Sequence, residues 1–296
     1  MGAPAVGRLR RLAEELEEGG LVLPTDDGHR AMVIDEIDHA LRPVIHERRV
    51  VSSGTVIAPA SDPATWEAGT DLEITHKPLR SQSLDAARRF ADGLSSWLLR
   101  CADGASEWNE WMVFDRPAGS ERDLVVLATV FDGIIVQRHP AGSVRVAGDF
   151  GVLRWEGYSW HHEPPVASWI DAVTACPIHG EPPVLQAMLE FAVHDLGSLR
   201  IGALLVHRPD DAPGPGVEQR LPTPPPLDIR NAIHLGPLRH ALAQIDGAAV
   251  FDPDGVLRHL ACGWYPALPP RSRSRRSAAP ATSRAGATAT TIPSPP

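Results

Sequence analysis

The apolar residues of this chain come in short runs of strand length, broken by Asp-Gly and Pro-Pro pairs. Leu124–Val130 and Gly133–Val136 are apolar, β-branched runs split by Asp132-Gly133, and Val144–Val146 and Gly151–Trp155 continue the pattern. Runs of this kind, bounded by turn dipeptides, read as strands of a sheet. None approaches the ~18 residues of a membrane span. Within the first 175 residues, helical spacing appears at residues 8–18, with Leu9, Leu12, Ala13 and Leu16 on one face, and at Asp85–Leu99. Between them lie Pro- and Ser-containing loops and short strand candidates, Val50–Val51 and Thr55–Ile57. These features predict an α+β N-terminal domain over residues 1–175.

A second unit, residues 176–265, follows Pro164-Pro165 and Pro182-Pro183. Leu185, Met188, Leu189, Ala192, Val193 and Leu196 form one face of an amphipathic helix, with Gly197 placed to cap it. Ile201–Val206 is a short apolar run, predicted to be buried on both faces beside Ala248–Phe251. A polar loop, a helix over Pro237–Gln244 with proline in its first turn, a turn at Asp252-Pro253-Asp254-Gly255 and a return strand over Val256–Ala261 complete the pattern. The expected class is α/β, a mixed sheet flanked by helices after an α+β domain.

Composition bounds the function. A hydrophobic share of 43% and a charged share of 22% are those of a globular chain. The net charge of −9 hides an asymmetry: residues 266–296 hold five arginines and no acid, leaving −14 on the rest. That balance argues against nucleic acid as a partner. The tail, built of Pro, Ser, Ala, Thr and Arg, offers no apolar face and is predicted to be disordered. Three cysteines argue against a disulfide framework, and the charged N-terminus lacks a signal-peptide core, so a reduced cytoplasmic location is expected. Lys77 is the only lysine, which with abundant Ala, Gly and Pro suggests a GC-rich gene.

Ile201-Gly-Ala-Leu-Leu-Val206, a loop containing Leu227-Asp-Ile-Arg-Asn-Ala232, and a helix leading into Ile245-Asp246-Gly247-Ala248-Ala249-Val250 together resemble the diadenylate cyclase domain. The resemblance covers roughly residues 184–262. It implies a mixed sheet flanked by helices and condensation of two ATP into cyclic di-AMP with release of pyrophosphate. It also implies a divalent metal (Mg or Mn), a homodimer that brings two ATP-loaded domains face to face, and an N-terminal sensory module. Asp246 then orients a ribose 3′-hydroxyl or holds the metal, while Gly247 and Ala248 let backbone N–H groups approach the nucleotide. On its own, Asp-Gly is an ordinary turn, and Asp132-Gly133-Ile134 shows the same pattern without that context.

The family's second motif, Gly-Thr-Arg-His, which grips the phosphates, is absent from these 296 residues. Arg258-His259 comes too soon after Asp246, and Arg239-His240 precedes it; both read as solvated pairs. Read one frame over, the codons for Ala278 to Thr282 permit Gly-Thr-Arg-His. Those for Ala287 to Pro293 permit a Tyr-Ser-Tyr-Asp-Asp-Pro run found in some family members. A frame change between Cys262 and Ala278 is therefore expected, with a truncated catalytic domain and impaired activity. The competing reading is a catalytically inactive nucleotide-binding or sensory module. Cys176-Pro-Ile-His179 near His161-His162 has zinc-ligand types but no zinc-module spacing, and a buried thiol with surface histidines is the better reading. Trp97, Trp108, Trp111, Trp155, Trp160 and Trp169 read as core or domain-interface anchors before pocket walls.

Overall fold

The computed structural model describes residues 3–42, 45–46, 49–59, 62–79, 83–103, 106–175, 181–208, 217–219 and 221–264. In chain order they form helices α1 (Ala3–Glu18) and α2 (Asp27–Leu41), then a two-residue ladder of β1 (Ile45–His46) with β2 (Arg49–Val50). Next come β3 (Ser53–Ala58), α3 (Pro63–Thr70), β4 (Ile74–Pro78), α4 (Leu84–Arg88), β5 (Ser96–Asp103) and β6 (Ser106–Phe114). Helix α5 (Glu121–Val130) leads into a meander of β7 (Ile134–Arg138), β8 (Val144–Gly148), β9 (Gly151–Trp155) and β10 (Trp160–Glu163). After α6 (Val166–Thr174), α7 (Pro182–Glu190) runs into a π-helical turn over Phe191–Leu196 and a short 3₁₀ turn. Strands β11 (Leu204–His207) and β12 (Val217–Gln219), helix α8 (Ala232–Gln244), and strands β13 (Ala248–Phe251) and β14 (Leu257–Trp264) follow. None of the described helices is long and apolar enough to cross a membrane.

The first sheet has eight strands in the order β10-β9-β8-β7-β3-β5-β6-β4. Strand β3 joins two locally connected groups, pairing in parallel with β5 and antiparallel with β7. Consecutive side chains fall on opposite faces, and both faces are covered. Val56, Ile135, Ala147 and Val152 join Trp66, Trp97, Leu124 and Phe131 under α3 and α5. Ile57, Val136, Val146 and Leu153 pack against Leu16, Val33 and Ile37 from α1 and α2. Double cover is why these strands read as unbroken apolar runs rather than alternating ones. Each large side chain so buried contributes roughly 1.5–3 kcal/mol before entropic costs. Most of the tryptophans serve this packing: Trp97 and Trp66 are core, Trp108 and Trp111 pack against buried clusters, and Trp155 pairs with Trp160, whereas Trp169, expected as an anchor, is exposed. Close approach fixes Gly54, where a Cβ would lie 2.3 Å from the Gly93 Cα and 2.6 Å from the Trp97 ring.

The second sheet has four strands, ordered β11-β13-β14-β12, with β11 parallel to β13. Ala249, Phe251, Leu257 and Leu260 pack beneath Val184, Met188 and Phe191 of the α7–π segment and beneath Leu235, Leu238 and Leu242 of α8. The architecture is thus mixed α/β, with sheets flanked by helices, as the sequence predicts.

Several local expectations are corrected. Leu124–Val130 is helix α5, because Ser120 and Asp123 form a capping box that starts a helix immediately before the run. The helix expected over Asp85–Leu99 ends at Arg88; Asp92 then accepts the N–H groups of Leu94, Ser95 and Ser96 in a tight turn that launches β5. Helix α2 falls where loops were expected. It is buried on several sides, so its apolar face lacks a clear stripe. Strand β11 is shorter than Ile201–Val206 and lies at the sheet edge, with Leu204 more than half exposed. Helix α8 starts at Ala232, capped by Asn231, and carries Pro237 inside it rather than at its first turn. The predicted disorder of residues 266–296 and the Cys176–His179 cluster lie outside the described residues.

Candidate functional site

Asp246 lies in the two-residue link between α8 and β13. Its carboxylate is exposed and has no hydrogen-bond or ion-pair partner among the described residues. Gly247 has φ +120°, and a Cβ there would stand 3.0 Å from the Ala261 carbonyl carbon and the Cys262 oxygen. Only glycine accommodates that combination without strain. Ala248 opens β13, flanked by Leu204 and Cys262. The neighbouring β14 is irregular here, with a register shift and Ala261 at φ +58°. A bulge of this kind bends a strand and re-aims the residues beside it.

The structure does not bring the Leu227–Ala232 stretch to this corner. Ile229 is buried, its N–H bonds to the Gly255 carbonyl, and Asp228 bridges to Val256. That places the stretch at the turn end of the β13–β14 hairpin, while Asp246 sits at the opposite end. Helix α8, 13 residues and therefore about 20 Å long, runs between them. Asp228 pairs with Arg230, which together with His234 holds its carboxyl below the usual range against the upward pull of partial burial. Arg258 pairs with buried Asp252 at 2.7 Å, so it organises the hairpin turn rather than standing free.

A second constellation joins the two sheets. Glu121, in the first turn of α5, has no side-chain exposure. Its two oxygens take the Arg154 guanidinium from β9, and Oε1 also accepts from His194 Nδ1 at 3.0 Å. Burial pulls the Glu121 carboxyl up, but the Arg154 and His194 hydrogen bonds outweigh it and hold the group below its ordinary value. Beside it, Arg122 reaches Glu190 at 3.0 Å and Asp195 at 3.2 Å, and Arg239 of α8 approaches Asp195 at 3.5 Å. Burial dominates at Asp195 and pushes its carboxyl up despite both arginines. The π turn puts adjacent residues His194 and Asp195 into this joint together.

A third feature is a cavity of about 680 Å³ on the α2 face of the large sheet. Arginines 42, 88, 89 and 138 line it, with His39 at the end of α2. Behind them, Glu36 is buried and accepts from Arg88, Arg100 and Thr55. Burial raises the neighbouring Asp35 carboxyl less than the Arg88 and Arg100 guanidiniums lower it, so it sits below its ordinary value.

Residues 10–163 match the family described as "Probable sensor domain DACNK". The chain belongs to this family. No curated protein and no solved structure gives a match. The DACNK domain spans most of α1 through β10 and so holds the entire eight-stranded sheet, the arginine-lined cavity and the Glu121–Arg154 half of the joint. The family is a probable sensor domain of the diadenylate cyclase family, which supports an N-terminal sensor in this chain. Sequence reasoning expected a sensor but missed its cavity. The four arginines at 42, 88, 89 and 138 are scattered over elements that only the fold assembles, so the sequence held no local signal for it.

Proposed function

We propose that this chain is of the diadenylate cyclase lineage, with the DACNK domain as sensor and the second sheet as the catalytic unit. The observation that carries the reading is the pairing of the DACNK match with a second α/β unit that presents Asp246-Gly247-Ala248 at a strand start, Asp246 unpartnered. Asp246 is assigned the task of orienting the attacking 3′-hydroxyl of ATP, and the Gly247–Ala248 backbone that of approaching the nucleotide. The donor set fits a divalent cation shared with the substrate. One free carboxylate is available, and the described residues contain no group of three His, Cys, Asp or Glu that could hold a metal unaided. Magnesium is typically bound that way, by one or two carboxylates plus phosphates. Such a cation supplies charge neutralisation at the phosphates. Two units facing each other as a homodimer complete the reaction.

Without Gly-Thr-Arg-His the chain lacks the cationic grip on the phosphates, a contribution of several kcal/mol in comparable electrostatic sites. The test compares this chain with one whose reading frame is restored after Cys262, each given ATP and Mg²⁺ or Mn²⁺, with cyclic di-AMP measured by chromatography. The restored protein is expected to make product, its Asp246→Asn variant to lose at least ~10²-fold, and the present chain to be far weaker. Equal activity in both proteins overturns the assigned role of the missing motif. No product from a folded, dimeric restored protein replaces the cyclase reading with that of an inactive nucleotide-binding module.

A further inference from the structure

Two of the guanidiniums that line the cavity of the DACNK domain have no acid partner among the described residues. Arg88 is matched by Glu36 at 2.7 Å and by Asp35 and Asp85, and Arg42 is matched by Asp38. Arg138 and Arg89 pair with no carboxylate of the described residues. Arg138 is the telling one. It projects from the end of β7 with only 8% of its surface exposed. Its Nη1 donates to the Ala40 carbonyl near the end of α2, and its Nε is buried with no partner among the described residues. A guanidinium cannot shed its charge as a lysine can, so the described protein groups leave much of its desolvation uncompensated. Burial accordingly makes the Arg138 cation less favourable, and burial with the charge of Arg88 does the same to the protonated form of His39 on the adjacent wall. Of the rest of the lining, Asp85 is engaged by Arg88 at 3.2 Å, Ser52 and Ser53 supply hydrogen-bonding groups, and Ile45 and Val51 supply an apolar wall for an organic anion. The volume, about 680 Å³, lies within the range of metabolite sites.

We infer that this cavity is the sensor's ligand site and that it takes a metabolite-sized organic oxyanion, a phosphate monoester or carboxylate, seated on Arg138 with Arg89 at the mouth. Guanidinium forks match both oxyanions bidentately, so the two share one recognition chemistry. Binding converts the buried cation from a cost into a paired contact, and it ties β7 to the end of α2 and to α4 through one ligand.

The experiment measures melting temperature and calorimetric binding on the full chain with AMP, inorganic phosphate and succinate as probes. Adenosine and sodium chloride at matched ionic strength serve as controls. At least one oxyanion probe is expected to raise the melting temperature above the salt control, while adenosine does not. AMP against succinate separates the phosphate from the carboxylate source. Arg138→Met, which keeps the bulk and removes the charge, is expected to weaken binding at least tenfold while melting at or above the parent temperature. Arg89→Ala, at an exposed position, is expected to weaken it severalfold without altering the fold. The inference is overturned if no oxyanion exceeds the salt control, or if Arg138→Met binds as tightly as the parent. It is also overturned if that variant melts lower with affinity unchanged, the behaviour of a purely structural arginine. The binding readout is independent of cyclic di-AMP synthesis, so failure of the cyclase reading leaves this test intact.

Discussion

Replacing Glu121 by glutamine keeps the side chain's shape and removes the one charge that Arg154 and His194 share. Glu121 is fully buried, whereas the Arg154 side chain is about one-seventh exposed and recovers some hydration. Removing one partner of a buried pair costs about 3–5 kcal/mol, and the partial exposure of Arg154 points to the lower end, about 3 kcal/mol. With a urea slope of about 2 kcal/mol/M, the unfolding midpoint falls by roughly 1.5 M. Six of the eight tryptophans lie within residues 10–163, so tryptophan fluorescence follows mainly the DACNK domain through this transition. The pH dependence supplies a second check. A carboxyl held below its ordinary value of 4.5 contributes stability that is fully present above that value and is lost as pH falls toward the folded-state value. The gap between parent and variant therefore holds at neutral pH and closes below about 4.5. Asp195 carries the opposite sign: its carboxyl is raised, so its ionised form opposes folding at neutral pH. Asp195→Asn is accordingly expected to change stability by less than about 1 kcal/mol, or to increase it, although it sits in the same joint. A midpoint shift under about 0.3 M for Glu121→Gln, with no pH dependence, would refute the idea that this charge cluster holds the two sheets together.

Two further outcomes follow from local geometry. Gly247→Ala forces a side chain at φ +120° against the backbone of Ala261 and Cys262. It should destabilise the second sheet by about 1–3 kcal/mol, read as faster amide exchange in β13 and β14. Burial, reinforced by the negative charge of Glu110, pushes the Cys101 thiol up to about 12. Peptide mapping after iodoacetamide treatment at pH 8 should find Cys101 unmodified in the native protein and alkylated once it is unfolded.

The sequence made the strands legible where apolar runs met Asp-Gly turns, as at Ile134–Val136 and Ala248–Phe251, because burial on both faces leaves a continuous apolar signature. It misled where the same signature belonged to a helix. Leu124–Val130 is β-branched enough to read as a strand, and only the Ser120–Asp123 cap marks the helix. Helix α2 was invisible for a related reason: Glu36 is buried in ion pairs with Arg88 and Arg100, and Asp38 with Arg8 and Arg42, so polar residues interrupt its apolar face. The Asp246 corner was legible as a short motif. The arginine-lined cavity and the Glu121 joint were not, since each assembles side chains from elements 30 to 100 residues apart.

The central position of β3 has a consequence for synthesis of the chain. Its antiparallel partner, β7, ends at Arg138, some 80 residues after Ala58. At ~5–20 residues per second, the ribosome needs roughly 4–16 s to deliver that partner. For that interval Val56 and Ile57, which end up in the cores on opposite faces of the sheet, belong to a strand with at least one bare hydrogen-bonding edge. Within the β7–β10 meander each strand pairs with its successor and closes as soon as that successor emerges, whereas β3 must wait for β7. The nascent chain is therefore most exposed to mispairing at the strand on which the finished sheet depends, and slowing translation between residues 58 and 138 lengthens that exposure directly.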